Sequence, residues 1–90
     1  MATEVVWYSK AEAALAEIWL AEVPFRNRIA SAAAQAEGEI ASDPEGAGES
    51  RDDYDDRFLV SDCLSVRWNC HREQNLAIVV RVVFNRPRRR

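Results

Sequence analysis

The sequence has few of the residues from which metal centres and nucleophilic active sites are built. Its 90 residues include one histidine, His71, and two cysteines, Cys63 and Cys70. A structural zinc site needs four regularly spaced ligands, so we expect no metal, and no motif indicates another cofactor. The cysteines stand at the two ends of a predicted strand, about 23 Å apart in an extended chain. That distance predicts two free thiols.

Long hydrophobic runs are also missing. No apolar stretch approaches the roughly 18 residues of a membrane span, and the beginning of the sequence lacks the features of a secretory signal. We therefore expect a cytoplasmic protein with no membrane partner. A chain of 90 residues has room for one core and one domain.

Lysine is scarce, and the charges are segregated along the chain. Lys10 is the single lysine, and the formal net charge is -3. Between Asp43 and Asp56, seven acidic residues stand against one arginine. The end of the chain, 86–90, holds four arginines and no apolar residue, which predicts a disordered basic tail after a domain spanning 1–85. The overall acidity argues against avid unspecific binding of nucleic acid.

A β-hairpin is predicted in the last third of the chain. Apolar and polar residues alternate from Leu64 to Cys70, and β-branched residues dominate from Leu76 to Phe84, as expected of strands with one buried face. The antiparallel register that joins the apolar rows pairs Val66 with Val82 and Cys70 with Ile78.

Three arginines are then expected in one row across the sheet. The hairpin register seats Arg67 beside Arg81, and a preceding strand that pairs Val60 with Leu64 places Arg57 opposite Arg67. Like charges that face each other across a sheet repel, so this row needs either acidic neighbours from the same chain or an anionic ligand. Both interpretations stay open, and the three arginines are the predicted anion-binding or target-binding residues.

Two helices are predicted before the hairpin. A strand over Glu4–Ser9 leads to Ser9 as an N-cap, with Glu12 in the capping-box position of a helix over Lys10–Glu22. Pro24 ends that helix, and an alanine-rich second helix begins near Phe25. From residue 41 to residue 56, proline, glycine and acidic residues predict a loop.

The predicted order is one strand, two helices and a three-stranded antiparallel meander. This order indicates an α+β domain with both helices packed on one face of the sheet. The phases of Trp7, Trp19 and Trp68 match those of apolar neighbours, so all three are predicted in the core, and Tyr54 is the candidate for an exposed aromatic contact.

Four segments, in this order along nearly the whole chain, carry a resemblance to a known family: Val5–Ser9, Ala11–Trp19, Asp43–Arg51 and Val79–Val83. With them the sequence resembles the RelE/ParE superfamily, the toxins of bacterial type II toxin-antitoxin modules, often labelled plasmid stabilisation proteins. The resemblance implies a toxin that causes growth arrest and is held inactive by a cognate antitoxin. RelE-like members cut messenger RNA on the ribosome, whereas ParE-like members inhibit DNA gyrase without a catalytic set.

Some residues depart from the pattern of active RelE-like proteins, and these departures bear on the choice between cleavage of messenger RNA and inhibition of gyrase. In a ribonuclease, Arg57, Arg67 and Arg81 would steady the phosphate, and His71 on the same predicted face would serve as acid or base, which makes Arg67, Arg81 and His71 the candidate catalytic residues; a solvated histidine at a strand end is the alternative. Ser65 stands where active RelE-like proteins carry an arginine, and Phe84 offers no tyrosine hydroxyl. These departures and the acidic charge favour ParE-like inhibition of gyrase. An endoribonuclease that cuts messenger RNA and a nontoxic protein-interaction module stay open, and so does the question whether the chain is an enzyme.

Overall fold

Two helices pack on one face of a five-stranded sheet in the computed structural model, which describes residues 3–50 and 55–87. The predicted α+β class and the predicted position of the helices are confirmed. The strands lie in the order β1-β5-β4-β3-β2; β1 is parallel to β5, and the other neighbours are antiparallel. The elements are β1 Glu4–Trp7, α1 Ser9–Ala21, α2 Arg26–Ser42, β2 Glu49–Ser50, β3 Asp56–Ser61, β4 Leu64–His71 and β5 Leu76–Phe84. Within the described ranges, no helix is both long and apolar enough to cross a membrane.

The start of α1 differs from the predicted capping box. Tyr8 is the N-cap residue, no side chain caps the helix, and Ser9 is already helical. The reason lies in the sheet, because the Tyr8 amide donates to the carbonyl oxygen of Val79 at 2.8 Å. The chain is therefore held extended through Tyr8 and turns into the helix one residue earlier than the side-chain pattern predicts.

The end of α1 is held by an arginine from the next helix. Pro24 lies in a 3₁₀ turn, Val23–Phe25, that separates the two helices. Arg26 donates from Nε to the carbonyl oxygen of Trp19 at 2.8 Å and from Nη2 to that of Leu20 at 3.2 Å. Its guanidinium lies 4.1 Å from the centre of the Trp19 ring. These contacts satisfy carbonyls that the last turn of a helix leaves without intrahelical donors.

The hydrophobic core lies between the helices and one face of the sheet. Trp68 is fully buried in it, and Trp7 packs partly against it. The prediction that Trp19 is a core residue is wrong, since Trp19 is 41% exposed and its ring lies under Arg26 on the outer side of the helices. The buried apolar residues of α2 and the sheet are Ile29, Ala32, Ala36, Ile40, Leu59, Cys63, Leu64, Val66, Trp68, Cys70, Ala77, Val79 and Val82.

A β-bulge divides the β4–β5 pairing into two halves. Val66 pairs with Val82 and Arg67 with Arg81, as predicted, but Trp68 pairs with Val79, so Val80 is an extra residue. Beyond the bulge the register moves by one, and the predicted pairing of Cys70 with Ile78 is wrong because Cys70 lies opposite Ala77. An extra residue reverses the alternation of side chains. As a result Ala77 and Val79 are buried, and Ile78 and Val80 turn to the other face.

The turn between β3 and β4 is also shorter than predicted. It contains two residues, Asp62 and Cys63, and Asp62 adopts a positive φ of 48°. Ser61 therefore pairs with Leu64, whereas the sequence pattern pairs Val60 with Leu64. Since strand side chains alternate between faces, this one-residue shift moves every side chain of β3 to the opposite face.

The predicted loop over 41–56 contains the end of α2 and the short strand β2. Gly48 leads into β2 with a positive φ of 60°. A Cβ atom at this position would lie 2.0 Å from the carbonyl oxygen of Phe58. Both the backbone conformation and the close approach to β3 therefore require glycine.

We expect Gly48→Ala to lower the free energy of unfolding by about 2 kcal/mol or more, because alanine is strained at this φ and its methyl group meets β3. Gly38→Ala is the matched control: Gly38 lies inside α2 with open space around it. There, alanine should stabilise the helix by about 0.5–1 kcal/mol. Urea unfolding of both variants checks the pair, and equal effects of the two substitutions would contradict this description of Gly48.

Candidate functional site

Within residues 3–50 and 55–87, no helix covers the second face of the sheet, and we call it the open face. The register and the alternation of side chains assign to it residues of β1, β3, β4 and β5. Several are apolar and exposed, with Val60 62%, Val83 40% and Val6 39% exposed. The open face consists of Glu4, Val6, Asp56, Phe58, Val60, Ser65, Arg67, Asn69, His71, Leu76, Ile78, Val80, Arg81 and Val83.

Two of the three predicted arginines meet on the open face. Arg67 on β4 and Arg81 on β5 are directly paired, at the point where the bulge adds Val80 to the same side of the sheet. Together with Phe58, Ser65 and Val83 they line a depression of about 260 Å³. Directly opposed residues in antiparallel strands hold their Cβ atoms about 5 Å apart, so the two positive side chains raise the local potential.

An aspartate on the neighbouring strand holds one of these arginines. Arg67 donates from Nε to Oδ1 of Asp56 at 2.8 Å and also donates from Nη2 to Oδ2. The two side chains are 35% and 17% exposed. Two parallel N–H to carboxylate bonds fix the guanidinium in one orientation. The sequence leaves two explanations for the arginine row, an acidic partner from the same chain or an anionic ligand. For Arg67 the first explanation is correct, because Asp56 is that partner.

Arg81 differs from Arg67 in its surroundings. It is exposed, and within residues 3–50 and 55–87 no carboxylate forms an ion pair with it. Its guanidinium is therefore the accessible cation of the depression. The difference follows from position, because Asp56 lies on β3, beside β4 and one strand away from β5.

Arg57 does not join the other two arginines, and the predicted three-arginine row is wrong. Arg57 lies opposite Trp68 on the helix-covered face and is buried. Its guanidinium donates from Nε to the carbonyl oxygen of Ala47 at 3.0 Å and from Nη2 to that of Gly48 at 3.2 Å. The two-residue turn before β4 is the cause, since it moves Arg57 inward and brings Phe58 to the open face beside Arg67.

His71 lies at the far end of β4 and is exposed. It shares the open side of that strand with Arg67, but four residues of strand separate the two, or about 13 Å. Its neighbours around a polar groove are Asp55, Cys70 and Arg72. Arg72 forms ion pairs with Glu45 and Asp55 at 3.0 and 2.8 Å. The structure thus separates His71 from the arginine pair with which the sequence groups it.

Both cysteines are free and buried. Burial raises the pKa of the Cys63 thiol and of the Cys70 thiol, and Cys70 Sγ donates to the carbonyl oxygen of Pro44 at 3.1 Å. A raised pKa keeps a thiol protonated and unreactive at neutral pH. Within the part of the chain that the structure describes, no three potential metal ligands converge.

A further arginine–aspartate pair lies away from the open face. Arg28 on α2 donates to both carboxylate oxygens of Asp62 in the β3–β4 turn. Hydrogen bonding to Arg28 holds the pKa of Asp62 below its usual value, and the same bond raises the pKa of Arg28. This exposed pair joins the helical layer to the turn that sets the register of β3.

The role of two site residues is not visible in the sequence pattern. Asp56 appears there as one member of an acidic run, and Phe58 appears as a core residue of β3. The sequence does predict that paired arginines need an acidic partner. Which acidic residue comes within reach of them depends on the strand register. Tyr54, the candidate aromatic contact, lies outside the described residues.

These elements define a class of small α+β domain in which two helices cover one face of the sheet and an arginine-bearing face stays open. No protein-family model matches the chain, and no curated protein matches its sequence. Its fold is similar to that of a chain in the crystal structure of the toxin-antitoxin complex RelBE2 from Mycobacterium tuberculosis. The TM-score is 0.75 at 14% sequence identity, over 94% of this chain and 93% of that chain. At this sequence identity the comparison shows a likeness of fold, and it agrees with the fold that the sequence resemblance implies.

Arg57→Ala should destabilise the domain by about 2–3 kcal/mol, because two carbonyl oxygens lose a charged donor and a buried space is left. Arg28→Ala is the control, since it removes an equally charged but exposed side chain and should change stability little. Thermal unfolding of both variants measures the difference. A folded Arg57→Ala protein with unchanged stability would show that Arg57 has no structural role.

Proposed function

We propose that the chain is the toxin of a type II toxin-antitoxin module, causes growth arrest and is controlled by a cognate antitoxin. The observation that carries this proposal is the likeness of fold over 94% of the chain to a chain of a toxin-antitoxin complex. The four sequence segments typical of the RelE/ParE superfamily support it independently. The open face, with its arginine pair and exposed valines, is the proposed surface for the target. Both candidate targets are cytoplasmic, which is where we place the chain.

We propose further that the toxin acts on DNA gyrase in the ParE manner, without catalysis. Cleavage of RNA needs groups that move protons to and from the reacting oxygens. Among the described residues that line the depression, only the two arginines carry a charge, and an arginine stays protonated at any physiological pH. The one histidine of the sequence lies at the other end of β4.

One observation favours the second candidate, ribosome-dependent cleavage of messenger RNA. Arg81 is exposed beside Arg67, and an arginine fork is well suited to binding a phosphate group. In that mechanism Arg67 and Arg81 would stabilise the charge that develops on the phosphate. His71 would have to reach the reacting atoms from the end of the strand to act as acid or base.

Induced expression of the chain in bacterial cells without its antitoxin tests the proposal. We expect growth arrest together with loss of gyrase supercoiling activity in extracts. Mapped cleavage of messenger RNA with intact supercoiling would instead support the RelE-like enzyme. Normal growth in the presence of folded protein would contradict the toxin proposal and favour a nontoxic module whose only role is to bind another protein. Co-expression of the cognate antitoxin should restore growth.

Arg67→Ala combined with Arg81→Ala should relieve growth arrest while the domain stays folded, because both side chains lie off the core-facing side of the sheet. Arg81→Ala alone should relieve it in part. Colony counts after induction and circular dichroism of the purified proteins measure the two effects. The control is Arg28→Ala, which removes one positive charge from α2, on the helix-covered side of the sheet, and should leave toxicity unchanged. Full toxicity of a folded double variant would remove the arginine pair from the mechanism.

A further inference from the structure

The carboxylate of Asp56 binds the guanidinium of Arg67 in the way that an external anion would. Its two oxygens accept from Nε and Nη2 of the guanidinium, which is the geometry in which arginine also binds a phosphate. Asp56 is only 17% exposed and Arg67 35%, so solvent screens this pair less than it screens a fully exposed pair. Within the fold, Asp56 therefore acts as a resident ligand of Arg67.

The two arginines of the depression are consequently unequal. Arg67 and Arg81 face each other across β4 and β5, but only Arg67 has its charge balanced by Asp56. Of these three charged side chains, Arg81 alone is exposed. An incoming anion thus meets one accessible guanidinium, although the strand register places two at this point.

We propose that Asp56 is a specificity-determining residue that keeps the phosphates of single-stranded nucleic acid off the open face. Binding of a strand draws its affinity from several cations that replace the counterions of successive phosphates. Among the described residues that line the depression, Asp56 leaves one arginine, Arg81, without a carboxylate partner. The inference deepens the proposed target surface and rests on that assignment. It predicts a target recognised through single charged groups and apolar contact, which agrees with a protein target such as gyrase.

Removal of the Asp56 charge should convert the same surface into a phosphate site. The Arg67 charge would then no longer be balanced by Asp56, and it stands directly opposite Arg81 in the paired strand. The substitution Asp56→Asn keeps the size of the side chain and removes its charge, and it replaces one of the two acceptor oxygens that bind Arg67 with an amide donor.

The test measures binding of a labelled single-stranded decauridylate to the purified full chain at a series of salt concentrations. We expect Asp56→Asn to bind about fivefold more tightly than the unmodified protein at low salt, the effect of one added charge contact near water. The slope of log affinity against log salt should steepen by about 0.7, the value for one further phosphate contact on a single strand. Asp56→Asn combined with Arg67→Gln should lose the gain. Unchanged affinity of Asp56→Asn would overturn the proposal.

Asp62→Asn is the matched control. It removes the same charge from a different arginine–aspartate pair, Arg28–Asp62, on α2 and the β3–β4 turn, and asparagine tolerates the positive φ of this position. An equal gain in Asp62→Asn would show that overall charge, and not Asp56, controls binding, and would overturn the proposal.

A second comparison covers the case in which Asp56→Asn does not fold. Asp56→Asn combined with Arg67→Gln removes both members of the pair without a change in net charge, and should bind the decauridylate as weakly as the unmodified protein. Arg81→Ala in the otherwise unmodified protein should weaken its binding of the decauridylate, because Arg81 is the accessible cation. Binding by the unmodified protein that falls in the Asp56→Asn, Arg67→Gln variant but not in Arg81→Ala would overturn the proposal. These assays need no toxicity, so their outcome is separate from that of the growth experiment.

Discussion

The extra residue at Val80 is the constraint on which the arrangement of the open face depends. A sheet covered by helices on one side must place its apolar residues on that side along every strand, and β5 is almost entirely apolar. The bulge reverses the alternation in its middle, so Ala77 and Val79 lie inward before it and Val82 lies inward after it. It also turns Val80 and Arg81 to the same side. The position of Arg81 opposite Arg67 is thus a consequence of how β5 fills the core.

The short turn at Asp62 and Cys63 has a comparable effect on β3. It places Arg57 beneath the sheet, where the guanidinium binds the carbonyls of Ala47 and Gly48. Gly48 approaches β3 so closely that no side chain fits, and the buried arginine therefore satisfies backbone groups that lie away from water. The predicted ligand-binding residue is instead part of the support for β2 at the edge of the sheet.

The charge of the proposed target surface, more than its shape, indicates which kind of partner it suits. The open face carries exposed valines around two arginines, and Asp56 balances one of them. Such a surface suits a partner that supplies apolar contact and isolated negative groups, whereas a polyanion gains most from several accessible cations. The likeness to a chain of the RelBE2 complex concerns the fold, and one fold serves different chemistries. Our proposal of gyrase in preference to messenger RNA therefore rests on the electrostatics of Arg67, Arg81 and Asp56.

The sequence by itself determined the class of the fold, the two helices, the β4–β5 hairpin and the pairing of Arg67 with Arg81, because these follow from local periodicity and from proline at a helix end. Only the tertiary structure decided the bulge at Val80 and the register of β3. The register of β3 in turn buries Arg57 and brings the Asp56 carboxylate within hydrogen-bonding distance of Arg67. In β3 and β5 apolar residues occur on both faces, so a shift by one residue leaves the pattern equally apolar. The choice between the registers then rests on packing beneath the helices and on the turn, which no local pattern specifies.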